Sequence, residues 1–369
     1  MSPSLWRRTV PVVGIAEFSR ARDRLLACDR AAPGVQIVCA EIVRAFHDVA
    51  SFDMCSVMTT DPETLLPSGG VVEGFGSDDC APFWDNELVD ADFVKFNQLA
   101  RSTDPVATLA EAVDGDLERS PRYRKLYAAA GASDEMRVAF VAGSSCLAVG
   151  VFVRLSGAGW FRPEELADVR QLVPIATTVL RRALGQVAHD ASSRPPAVIM
   201  LDAEGKVTAT TPGGTLALEE LRTALDDTEL PSIIRAAATK ARWSRSASNL
   251  TTRVRDGSGR WLRLHITPVD GEVGAVAVVV ETARPDDIVM ILLESYGLTE
   301  RETDVVLLLA RGLSLKEIAL ELCLSVHTIR DHLKSIYAKA GVNSRGELVA
   351  VLFSNHVLDQ FHNSVEHIN

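Results

Sequence analysis

The chain has 369 residues and a formal net charge of −11 at pH 7, too long for one ordinary core, so two to three domains are expected. Its 47% hydrophobic and 24% charged content is that of a folded globular protein and excludes a disordered or fibrous one. No apolar run approaches the ~20 residues of a membrane span, and no long apolar stretch follows Arg7 and Arg8 as a signal peptide requires, so a cytoplasmic protein without a membrane partner is expected.

Small-residue and proline clusters at 191–196 and 282–287 mark linkers. They divide the chain into a sensory segment at 1–190, a second segment at 195–283, a connector helix at 285–297, a domain at 298–356 and a polar tail at 357–369. In the first segment Val35, Val38, Ile42, Val43, Phe46 and Val49 recur at three- and four-residue spacing and predict a helix. Strands follow over Phe52–Thr60 and Thr64–Val72, the second interrupted by Pro67 and two glycines. Met136–Ala142 and Cys146–Leu155 predict paired strands, and the apolar run Leu147–Val153 predicts burial on both faces. Pro163 sits near the first turn of a long helix with the stripe Leu166, Val169, Leu172, Val173, Ala176, Val179 and Leu180. Helix, sheet, helix is an α+β arrangement. Its aromatics Phe83, Trp84, Phe93, Phe96, Tyr123, Tyr127 and Trp160 are candidate lining for a small-molecule pocket, with plain core packing as the alternative.

The second segment opens with an apolar strand, an acidic-glycine turn and another strand (Ala197–Thr210), a hairpin pattern. Helices are expected over Leu216–Leu225 and Pro231–Ala241. Strands follow over Asn249–Asp256, Arg260–Pro268 and Val273–Glu281, again α+β.

The third segment is a run of short capped helices. Thr299 with Glu302, and Ser314 with Glu317, have capping-box spacing. The first helix buries Val305, Val306 and Leu309 before Gly312, and the second buries Ile318, Ala319 and Leu322. Ser325 caps a third helix whose apolar face is Val326, Ile329, Leu333, Ile336 and Tyr337, with Thr328, Arg330, Asp331, Lys334, Ser335 and Lys339 on its outer face. Gly341 ends it, and Ser344 starts a fourth helix with Leu348, Val349 and Leu352. Residues 296–369 carry seven basic and nine acidic side chains, net −2, which leaves −9 on residues 1–295. Within 325–346 the balance is four basic to one acidic. A near-neutral domain with a locally basic helix can hold phosphates, where an acidic bulk repels them. Such a helix fits the major groove, where Arg and Lys read guanine and Asp accepts from cytosine. A solvated face of a packing domain is the alternative.

Three resemblances follow from these residues. Leu298-Thr-Glu-Arg-Glu302, Ala310-Arg-Gly312, Lys316-Glu-Ile-Ala319, Ser325, Thr328-Ile-Arg330, His332-Leu333 and Lys339-Ala-Gly-Val342 resemble, in register, the LuxR-type helix-turn-helix of bacterial regulators. The resemblance implies an all-α four-helix domain binding double-stranded DNA, with Leu315–Lys334 as the helix-turn-helix and Val326–Ala340 as the recognition helix. It places Arg330, Asp331 and Lys334 at base contacts and Lys316, Thr328, Ser335 and Lys339 at backbone contacts. It assigns Leu348, Val349 and Leu352 to a dimerisation helix, and implies a homodimer and RNA polymerase as partners. Ala340 stands where a leucine is usual, and Asp331 is an unusual acidic reader. The first segment resembles a GAF domain in its order of elements, and the second resembles a PAS domain, except that Thr210-Thr211-Pro212 stands where an asparagine is usual.

There is no phosphate loop, nucleophile elbow or HExxH helix, so neither catalysis nor a cofactor is expected. The six cysteines form no CxxC pair, and no metal site is expected. The reading is a transcription regulator controlled by an unidentified small molecule or partner. A constitutive regulator with a merely dimerising front half, and a thiol-based redox sensor, are the alternatives.

Overall fold

The computed structural model describes residues 14–31, 33–76, 79–155, 157–185, 197–222, 230–243, 249–270, 273–284 and 295–349, together with 287, 291 and 293. In the first domain, helices α1 (Ile15–Ala31), α2 (Val35–Val49) and α6 (Pro163–Leu184) cover one face of a five-stranded antiparallel sheet. The strands are β1 (Met54–Thr60), β2 (Pro67–Glu73), β3 (Val106–Thr108), β4 (Ala132–Ala142) and β5 (Ser145–Leu155), in the order β2-β1-β5-β4-β3. The apolar stripes expected on α2 and α6 are buried against that sheet. The strand expected over Thr64–Val72 begins only at Pro67, because Leu65 turns back with φ 56° and its N–H closes onto the Asp61 carbonyl at 2.7 Å. The sheet's second face is covered by α3 (Cys80–Leu88), α4 (Phe96–Leu99), α5 (Leu109–Ala112) and a π-helical turn at Tyr123–Tyr127. That is why β5 is buried on both sides, as its unbroken apolar run requires.

The second domain repeats the same strand order. Here β6 (Ala197–Leu201), β7 (Val207–Thr210), β8 (Leu250–Arg255), β9 (Trp261–Pro268) and β10 (Val276–Thr282) run β7-β6-β10-β9-β8, all antiparallel. Two helices, α7 (Pro212–Glu220) and α8 (Ser232–Trp243), pack on one face. Thr211 caps α7: its hydroxyl accepts from the N–H of Gly214 at 3.2 Å and of Val198 at 3.1 Å. Pro212 follows at the first helical position, where its missing N–H costs nothing.

The two domains share a junction. Leu66 and Trp84 of the first lie in the core of the second, while Trp261, Ala283 and Ile291 lie in the core of the first. At its centre Asp61, fully buried, accepts from the Arg253 N–H (2.7 Å), its Nε (3.1 Å) and its Nη2, which meets the second carboxylate oxygen at 2.8 Å.

The C-terminal domain has α9 (Glu300–Ala310), α10 (Leu315–Glu321), α11 (Val326–Ala340) and α12 (Arg345–Val349) around its own core of Val305, Val306, Leu309, Ile318, Ile329, Leu333 and Ile336. No described helix is long and apolar enough to cross a membrane.

Candidate nucleic-acid interface

Three helix starts in the C-terminal domain are fixed by their own side chains. Thr299 and Ser314 accept from the N–H groups of Glu302 and Glu317, whose carboxylates bond back to the cap N–H at 2.7 Å in both cases. Ser325 accepts from the Thr328 N–H at 3.1 Å and starts α11. Gly341, at φ 69°, stops α11 in the left-handed region that favours glycine. The tight turn between α10 and α11 passes through Cys323 at φ 55°, where Leu324 N–H reaches the Ala319 carbonyl at 2.8 Å.

This framework leaves Arg330, Asp331 and Lys334 exposed on α11 and Lys316 exposed on α10. Among the described residues Arg330, Lys334 and Lys316 make no ion pair. Asp331 pairs with exposed His327 one turn before it, 3.0 Å from its Nδ1. The half-buried Thr328 hydroxyl lies 2.9 Å from that of Ser325.

Ser335 and Lys339 sit differently from the expected outer face. Both turn toward α9, where Glu302 accepts from the Ser335 hydroxyl at 2.6 Å and from Lys339 Nζ at 2.6 Å. Glu302 is thus a buried pin between the first helix and the last turns of α11. Burial raises its pKa, but bonds from Lys339, Ser335 and the Thr299 N–H outweigh it and bring the carboxyl down to about 2. The folded value lies below the unfolded one, so this stabilisation is present above the usual carboxylate range and is lost as pH falls from about 4.5 toward 2. We expect Glu302→Gln to cost about 3 kcal/mol at pH 7, with the gap to the parent closing between pH 5 and pH 2 in urea unfolding followed by circular dichroism. A gap that stays constant over that range contradicts the pin.

Of the dimerisation candidates, Leu348 is buried in the domain's own core, Val349 is half-buried against it, and Leu352 lies outside the described residues. Arg345 fastens α12 by donating to the Leu309 carbonyl at 3.0 Å.

Of the seven aromatics expected around a front-half pocket, Phe83, Phe96, Tyr123 and Tyr127 share one cluster on the sheet's second face, and Trp84, Phe93 and Trp160 are not part of it. Trp160 is 56% exposed, and Trp84 packs into the second domain's core. Phe93 lies under Arg119, and the Tyr123 hydroxyl donates to the Ala132 carbonyl at 3.1 Å. Phe83, Phe96 and Tyr127 stand against a buried charged cluster. Arg122 Nη2 meets Glu135 at 2.6 Å, and Arg137 bridges Glu135 (3.0 Å) and Glu87 (2.7 Å), all four side chains nearly or fully buried. Arg137 lies over Phe96 at 4.5 Å and Phe83 at 5.5 Å, and the Tyr127 hydroxyl donates to Glu135 at 3.0 Å. Burial pushes Glu135 up, yet the two arginines hold it below the usual carboxylate range. Sequence reading missed this cluster because Glu135 and Arg137 alternate with apolar Met136 and Val138, and charge on alternate strand positions suggests a solvated face. In the structure that face is covered by the 80–131 segment.

Of the cysteines, burial pushes Cys39, Cys55 and Cys146 up to about 12, and Cys323 is exposed.

Residues 296–352 match the family model of bacterial regulatory proteins of the luxR family. The chain is 43% identical over 61 residues to the transcriptional regulatory protein YdfI of Bacillus subtilis, covering 16% of this chain and 29% of YdfI. It is 43% identical over 53 residues to the transcriptional activator protein ExaE of Pseudomonas putida, covering 14% of this chain and 25% of ExaE. The matched segment thus spans under a third of these relatives. Among solved structures, SdiA in complex with octanoyl-rac-glycerol aligns over 90% of this chain and 93% of its own, at 13% identity and a TM-score of 0.33. The Vibrio cholerae VqmA dimer aligns over 44% and 83%, at 14% identity and a TM-score of 0.20. At such scores neither structural likeness bears on fold or ligand. The sequence match, the capped helices and the register of their residues agree: the C-terminal segment of this chain is a helix-turn-helix domain of the luxR family of bacterial regulatory proteins.

Proposed function

We propose that the chain is a sequence-specific DNA-binding transcription regulator whose two front domains, GAF-like and PAS-like, receive a small-molecule or partner signal. The observation that carries this reading is the exposed face of α11, with Arg330, Asp331 and Lys334 on a helix fixed at both ends by its own caps. In this reading Arg330 and Lys334 take guanine edges and Asp331 a cytosine amine in the major groove of double-stranded DNA. Lys316 and Thr328 meet phosphates and set register. Ser335 and Lys339 serve by holding the angle of α11 through Glu302. The protein acts as a homodimer on two half-sites about one helical turn apart, with RNA polymerase as a further partner. A selection from random-sequence DNA with the full chain should enrich paired half-sites at that spacing. Recovery of no preferred sequence sinks the proposal.

One observation favours a second reading of the front half. The aromatics expected to line a ligand pocket stand around the buried ion pairs of Arg122, Arg137, Glu135 and Glu87, which suits a dimerising scaffold and a constitutive regulator.

A further inference from the structure

Among the described residues, the connector and the C-terminal domain meet the first domain at a close contact. Ile291 lies in the first domain's core, while Leu293, two residues on, lies in the core of the C-terminal domain. Gly297 then meets the β4–β5 hairpin turn backbone to backbone. A Cβ on Gly143 would lie 2.4 Å from the Gly297 carbonyl oxygen, and one on Gly297 would lie 2.9 Å from the Ala142 carbonyl carbon. Both glycines have positive φ, 61° and 62°, so each position favours glycine twice over, by conformation and by space.

Beside this contact lies a crevice of about 490 Å³ between β4, α6, the connector and the end of α11. Its apolar wall includes Pro105, Val141 and Val173. Its polar side chains include Arg181, Tyr296 and Lys339, and no described lining residue is acidic. In a chain of net charge −11 a cavity with two cations and no acid is against the average. Lys339 is already bonded to Glu302. Arg181 makes no ion pair among the described residues, and its buried Nε has no hydrogen-bond acceptor. A buried donor without an acceptor is costly, and the cost is relieved by an acceptor of opposite charge.

We propose that this crevice is a ligand site for a small oxyanion-bearing molecule, a carboxylate or a phosphate, with Arg181 as its charged anchor and Tyr296 as a second donor. The site closes only while Gly297 sits against Gly143, so the anion and the seated arrangement stabilise one another by linkage. The binding claim stands on the crevice alone; its regulatory meaning rests on the DNA-binding reading, since the same anion then bears on the last turns of α11.

The test is calorimetric titration of the full chain, without DNA, with inorganic phosphate and with succinate. Saturable one-site binding of at least one anion is expected, and the tighter of the two identifies the oxyanion. Arg181→Gln should weaken it at least tenfold with an unchanged melting curve, whereas Arg20→Gln on the exposed face of α1 should not. Gly297→Ala, which keeps Arg181 but unseats the contact, should weaken it as well. Absence of saturable binding by either anion, or parent-like binding by Arg181→Gln, overturns the site whatever the DNA selection gives.

Discussion

Replacing Arg330 and Lys334 together by alanine should abolish specific DNA binding while leaving the fold intact. A good base contact is worth about 1–3 kcal/mol, so two lost contacts weaken specific binding by roughly 30-fold to 10⁴-fold. Both side chains are exposed and outside the domain's core, so thermal unfolding should not move. Lys316→Ala should behave differently, weakening all sequences alike because a phosphate contact carries no base information. Fluorescence anisotropy with the selected site and a scrambled one separates the two outcomes. Parent-like specific affinity in the double variant would reject α11 as the reading helix.

Asp61→Ala should be the most destabilising single change at the junction of the two front domains. The carboxylate is buried and takes three bonds from Arg253, and the Thr252 hydroxyl donates to it at 3.2 Å. Removing it leaves a guanidinium with a side-chain exposure of 6% that has lost its closest ion-pair partner among the described residues, with the exposed Glu63 at 3.8 Å. Breaking one partner of a buried pair costs about 3–5 kcal/mol, more than the pair itself contributes. Because the bond joins two domains, the loss should also separate their unfolding. Differential scanning calorimetry should show one shared front-half transition in the parent and two in Asp61→Ala. A single transition at the parent temperature in the variant would contradict this account.

What could be read from the sequence followed the strength of local signals. The caps Thr299, Ser314 and Ser325, the stop at Gly341 and the buried faces of α9 to α11 were all legible, because each is set within one or two turns of chain. The stripe of α6 and the strand pairs were legible for the same reason. Helix α1 was not, since its buried residues Ala21, Leu25 and Cys28 are few and mostly small among many charges. The surroundings of the pocket aromatics were not legible, because a sequence does not say which apolar face is covered by what. Trp84 finds its place only when the second domain docks, and Phe83 and Phe96 only when Arg137 is buried between them. Ser335 and Lys339 were assigned outward by helical phase, and the reach of Glu302 from a different helix turned them inward. Long-range partners of this kind have no fixed spacing along the chain.

The Glu302 pin has a consequence for counterions. A lysine that meets DNA from open solvent displaces a condensed cation, and each such event adds about 0.9 to the slope of log affinity against log salt. Lys339 is neutralised by a carboxylate 2.6 Å away before any DNA arrives. In the DNA-binding reading proposed above, Lys339 therefore adds little to the count of released cations, and the basic excess of α11 overstates how steeply its grip weakens as salt rises.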